Sequence, residues 1–219
     1  MASRRNLTDA ETLELYRVAL DNATNLPQIA AIMAELGYDA TVIAEGKALL
    51  TETRKAYDRN ITEDDETSDA YANFSNLKTE LEDTYDTHRK KARVVFRKDP
   101  VTTDKLAISG PVPRTYMKWI ENARKFYGLA ATDPAIQSKL DRLKISPTEL
   151  NEGKALVSAV EEARSIYLGE KGESQDATKL KDAAFSKIRD WMSDFFEVAK
   201  IGMEDRPQLL ETLGKMVRS

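Results

Sequence analysis

His88 is the only histidine in this chain of 219 residues, and there is no cysteine. A zinc site usually draws two or more nitrogen or sulfur ligands from those residue types, so its parts are missing. Disulfides, iron–sulfur clusters and a thiol nucleophile are excluded as well. His88 lies on the apolar side of a helical pattern. It reads as a core or half-buried ring-sized side chain, with a metal ligand or general base as the competing reading. Carboxylates are plentiful, but the Glu-x-x-His pairs of ferritin-like di-metal helices do not occur. Glu45, Glu152, Asp83 and Asp190 fall beside or away from the apolar stripes. A carboxylate-bound Mg²⁺ in a helical-bundle enzyme is therefore kept only as an alternative. Phosphate-loop, dinucleotide and nucleophile-elbow strings are absent. No catalytic residue, metal ligand or cofactor-binding residue is assigned.

Two further groups could touch a partner. Arg89, Lys90, Lys91, Arg93, Arg97 and Lys98 are a local basic patch. It could meet phosphate or nucleic acid, or simply place cations near a helix C-terminus, where the dipole favours them. Aromatic residues crowd the second half. Phe195 and Phe196 are adjacent and cannot share one helix face, so Trp119, Trp191 and Phe196 are the candidates for a partner surface.

The elements that carry these residues follow from hydrophobic spacing. Thr8-Asp9 starts a helix with Ala10, Leu13, Tyr16 and Leu20 on one face. Pro27 opens a second, with Ile29, Ile32, Met33 and Leu36, closed by Gly37. Asp39 caps a third over 40–59, whose stripe runs Val42, Gly46, Leu49, Leu50, Thr53 and Tyr57. The acidic stretch 62–69 reads as a solvated connection. A long fourth helix over 69–98 carries Phe74, Leu77, Leu81, Tyr85, His88, Ala92 and Val95. Asp99-Pro100 ends it, a short tail helix follows, and Ser109-Gly110-Pro111-Val112-Pro113 is the natural boundary.

Glu45-Gly46-Lys47-Ala48-Leu49 returns as Glu152-Gly153-Lys154-Ala155-Leu156, 107 residues later. At that offset about 22 of 112 aligned pairs are identical, where chance gives roughly seven. Pro27 falls on Pro134 and Pro100 on Pro207. The expected fold is all-α: a tandem duplication of an antiparallel helical bundle, with four main helices and a short tail helix per copy. The copies are residues 1–109 and 110–219. Mid-helix glycine is costly, so Gly46 and Gly153 are expected to mark close approaches between helices. The stretch 169–176, counterpart of 62–69, is expected to be a flexible connection.

Charged residues make up 32% of the chain and apolar ones 41%, with a net charge of −4. That argues against wrapping nucleic acid with the whole surface. The start lacks a secretory apolar core, and no run reaches the roughly 20 apolar residues of a membrane span. The expectation is a cytoplasmic, non-enzymatic binding or scaffold protein with no membrane role. It would work through helix surfaces on a protein partner or on a second copy of itself. A nucleic-acid-associated role through residues 89–98 is the alternative.

Overall fold

The computed structural model describes residues 7–214, which are helical with no strand. The elements are α1 (Asp9–Asn25), α2 (Pro27–Glu35), α3 (Ala40–Val95), α4 (Pro100–Lys105), α5 (Tyr116–Ala130), α6 (Pro134–Asp141), α7 (Pro147–Gly202) and α8 (Pro207–Thr212). No helix among the described residues is long and apolar enough to cross a membrane.

Most helix starts are written into the local sequence. Thr8 and Glu11 form a reciprocal capping box for α1, and Ser146 and Glu149 do the same for α7. Asp39, Asp99 and Asp133 accept backbone N–H groups at the starts of α3, α4 and α6. These side chains satisfy donors that a helix start would otherwise leave orphaned. Pro27, Pro100, Pro134 and Pro207 are the first residues of α2, α4, α6 and α8, where the missing N–H costs nothing.

The third and fourth expected helices are one. α3 runs unbroken through the acidic stretch 62–69, and α7 runs unbroken through 169–176, each helix being 56 residues long. Two expected connections are therefore corrected. Residues 62–69 contain neither glycine nor proline, and charge alone does not break a helix. Arg59 reaches Glu63 one turn away, at 3.1 Å. Asn60 donates to Thr178 at 3.1 Å, and the Ser174 hydroxyl donates to Asp64 at 2.5 Å. Gly169 and Gly172 stay helical because the hydrogen-bonded ladder on either side of them continues.

The chain divides into two compact units, residues 1–65 with 172–219, and residues 66–171. Each takes segments from both sides of the boundary at 109–113. The first unit holds α1, α2, the start of α3, the end of α7 and α8. Leu20, Ile29, Met33 and Ile43 pack there with Ile188, Met192, Phe195 and Met203. Its α3 and α7 segments run antiparallel, with Gly46 facing Trp191, Thr53 facing Ala184 and Asn60 facing Thr178.

The second unit holds the rest of α3, then α4, α5, α6 and the start of α7. Leu81, Tyr85, Ala92 and Phe96 pack with Ile120, Phe126, Tyr127, Leu140, Leu150 and Val160. Near one end of this unit Phe74 stacks on Tyr167, with ring centroids 6.1 Å apart.

Left-handed residues close four of the helices in matched pairs. Gly37 follows α2 with φ of 87°, and Lys144, 107 residues on, follows α6 with φ of 53°. Ala107 follows α4 with φ of 53°, and Gly214 follows α8 with φ of 79°. Only glycine takes this conformation without a Cβ clash, which costs about 1–2 kcal/mol in other residues. Lys144→Gly should therefore raise the unfolding free energy, by about 0.5–1 kcal/mol after the added freedom of the unfolded chain is subtracted. Urea titration of both proteins checks this, and an unchanged or lower midpoint would contradict the strain assignment.

Candidate functional site

The basic patch does not assemble into one face. Arg89 is only 5% exposed, and its guanidinium donates to the carbonyls of Ile108 at 3.1 Å and Gly110 at 2.5 Å. A buried guanidinium must find acceptors, and these two hold the segment after α4 against α3. Lys90 pairs with Asp86 at 2.6 Å, and Lys91 donates to the Lys144 carbonyl at 3.3 Å. Arg93, Arg97 and Lys98 are exposed.

The aromatic candidates are drawn inward too. Trp119 is 5% exposed and belongs to the second unit's core, with the Lys78 ammonium 5.5 Å from its ring centroid. Phe196 is 8% exposed and packs against Tyr16 and Phe195 in the first unit. Trp191 is half-buried, stacked on Phe195 with centroids 5.7 Å apart and edged by Tyr38. In an amphipathic helix the stripe that meets neighbouring helices is wide, so α7 buries Phe195 and Phe196 together.

Gly46 and Gly153 do sit at close approaches, but the partner is an aromatic ring and not another helix backbone. A Cβ on Gly46 would overlap the Trp191 ring, and one on Gly153 would overlap the Tyr127 ring. The two rings come from different places. Trp191 belongs to α7, and the residue 107 positions before it is Thr84 on α3. Tyr127 belongs to α5, and its counterpart is Leu20 on α1.

That difference leaves a groove of about 480 Å³ in the second unit. Its walls are Glu80, Thr84 and His88 from α3 and Glu149, Glu152, Gly153, Ala155, Leu156 and Ala159 from α7. Thr84 stands where the first unit has an indole. His88 stands where it has Phe195, Glu149 where it has Val42, and Glu80 where it has Lys187. Sequence reasoning placed His88 on this face but missed Thr84, Glu80, Glu149 and Tyr127 as its surroundings. The signal was present in the offset: at 84 and 191 the aligned residues differ more in size than at nearly any other core position.

The polar centre of the groove is a pair. His88 is 6% exposed and Tyr127 fully buried, and His88 Nδ1 lies 3.1 Å from the Tyr127 hydroxyl. Burial, with a smaller push from Tyr85, lifts the Tyr127 hydroxyl above the ordinary tyrosine range, so it keeps its proton. Burial also lowers His88 below the usual histidine value, against the opposing pull of Glu149 and with a small contribution from Lys91. A buried hydroxyl needs an acceptor. Neutral His88 supplies one at Nδ1, and its own proton then sits on Nε2. Among the described residues Nε2 has no hydrogen-bond partner, and His88 lines the groove. Glu149 is held ionised by the backbone and hydroxyl of Ser146. Glu45, Glu152, Asp83 and Asp190 are all exposed.

Neither serine nor lysine is among the lining residues, and the arrangement can hold a ligand by charge and hydrogen bonding. The chain matches no family model, no curated protein and no solved structure.

Two outcomes follow. Gly46→Ala and Gly153→Ala should each destabilise by about 1–3 kcal/mol through overpacking. Gly169→Ala and Gly172→Ala, where a Cβ meets nothing within 4 Å, should each stabilise by about 0.5–1 kcal/mol. Thermal and urea unfolding of the four variants separates the two classes.

The second outcome concerns pH. The folded chain holds His88 below its unfolded value, so the unfolded chain binds the proton more readily. Stability is complete above roughly pH 6.5 and falls as pH drops through that value. The urea midpoint should fall between pH 7.5 and 5.5, and His88→Gln should flatten that slope. An equal slope in the variant would assign the effect to other groups.

Proposed function

We propose that this chain is a non-enzymatic binding protein made by tandem duplication of an antiparallel helical bundle, with the groove beside His88 as its ligand site. The duplication is supported by equal spacing throughout. α3 and α7, and α4 and α8, have bounds offset by 107. The left-handed residues 37 and 144, and 107 and 214, keep the same offset. On this reading the two copies exchange their ends: each unit joins the first helices of one copy to the last helices of the other.

The observation that carries the binding reading is the groove at Thr84. One copy fills its position with Trp191 and the other leaves it open and lines it with polar residues. After duplication, such an opening costs apolar burial and persists when it holds something. The alternative, nucleic-acid association through residues 89–98, is weakened because Arg89, Lys90 and Lys91 are engaged within the chain.

Ligand-observed NMR of the full chain with a library of small fragments tests the reading. Thr84→Trp serves as the filled control, since a tryptophan at the counterpart position packs well in the first unit. Fragments should bind the wild-type chain, and the variant should lose them while keeping its helical circular dichroism. If no fragment distinguishes the two folded proteins, the groove is not the binding site.

A further inference from the structure

The proposed groove has a chemistry that narrows its ligand. Glu80, Glu149 and Glu152 stand along it, and no lysine or arginine is among its lining residues. Its counterpart in the first unit has Lys187, Val42 and Glu45 at those three positions. The second copy is thus more negative at two of the three places, on the same wall that lost the indole. A charge cluster alone is common on helical proteins. Here it surrounds a second feature: His88, 6% exposed, with Nδ1 held by Tyr127 and Nε2 without a hydrogen-bond partner among the described residues.

An unpaired N–H beside a groove asks for an acceptor, and three carboxylates ask for a cation. The rest of the lining is apolar or small: Ala155, Leu156, Ala159 and the bare Cα of Gly153. A bare metal ion fits poorly, because His88 and the groove carboxylates do not converge as a set of ligand atoms. A polyamine offers cations but no acceptor. An anionic ligand would face the three glutamates.

We propose that the groove binds an organic ammonium with a carbonyl or hydroxyl acceptor a few bonds away and an apolar group beside it. The ammonium meets Glu80 and Glu152, with Glu149 adding its charge. The acceptor takes the Nε2–H of His88. The apolar part lies on Leu156 and Ala159, in the space that the Thr84 side chain leaves unfilled. An α-ammonium next to a carbonyl satisfies this pattern, and it occurs both in free amino-acid amides and at the N-terminus of a peptide. The inference rests on the binding reading above and specifies its ligand class.

Isothermal titration of the full chain with tryptophan amide and with N-acetyltryptophan amide tests the charge requirement. Tryptophan amide should bind, and acetylation should weaken it at least tenfold. Glu80→Gln and Glu152→Gln change exposed residues outside the capping interactions. Each should weaken binding about three- to tenfold, with more salt sensitivity in the wild type than in the double variant. Thr84→Trp should abolish it, and His88→Gln should weaken it with the helical signal retained.

The peptide Trp-Gly-Gly and its acetylated form distinguish the sources. Tighter binding of the free peptide than of the amide points to a peptide N-terminus, the reverse points to a small amine, and both support the ligand class. Equal binding of acetylated and free amide overturns it, as does indifference to the two glutamine variants. If tryptophan amide fails while other fragments still bind in a manner lost with Thr84→Trp, the ligand class falls and the binding reading stands. If nothing binds, both fall.

Discussion

The Trp191 ring lies so close to Gly46 that any Cβ there would overlap it. The same constraint holds at Gly153, where the ring belongs to Tyr127. In each unit, the α3–α7 seam is organised around a helix position with no side chain. A flat ring stacked against a bare backbone excludes water over a wide area and gains dispersion contacts on both faces. The energy lost by placing glycine mid-helix is about 1 kcal/mol, and burying most of an aromatic side chain gains more than that. The glycine is tolerated because of what it admits.

Which ring enters decides what each unit presents. In the first, Trp191 stacks on Phe195, Tyr38 closes the edge, and the seam is filled by apolar rings. In the second, Tyr127 enters from α5 and brings a hydroxyl with it. A buried hydroxyl cannot stand beside a phenylalanine without losing its hydrogen bond, and histidine at 88 supplies the acceptor. The lone histidine is explained by the tyrosine. Tyr85, in the same core, has a hydroxyl with no hydrogen-bond partner, though its ring packs against Phe126 and Tyr127. Nothing in the structure accounts for that unsatisfied group.

Much of the fold was legible in order. Pro27, Pro100, Pro134 and Pro207 marked helix starts because proline lacks the N–H that a first turn does not use. The stripe Leu81, Tyr85, His88 and Ala92 was buried as its spacing required. Residues 62–69 and 169–176 were misread because acidity and glycine weaken a helix only modestly. A partner running alongside outweighs such local costs, as Asn60 and Thr178 illustrate. The site was legible in part. His88 was marked by its uniqueness, whereas Thr84 is unremarkable until set beside Trp191. Arg89 looked like a surface cation because sequence gives no view of the carbonyls of Ile108 and Gly110 that it reaches.

By itself the sequence determined the all-helical class, the helix starts, the offset of 107 and the absence of thiol chemistry. These depend on neighbours a few residues away or on composition. Only the tertiary structure decided that α3 and α7 are unbroken, that each unit draws on both halves of the chain, and which ring fills each glycine notch. Those choices depend on side chains that are distant in sequence and meet only when the helices pack. Gly46 and Gly153 look the same in the sequence. Their surroundings differ because a tryptophan or a threonine stands opposite.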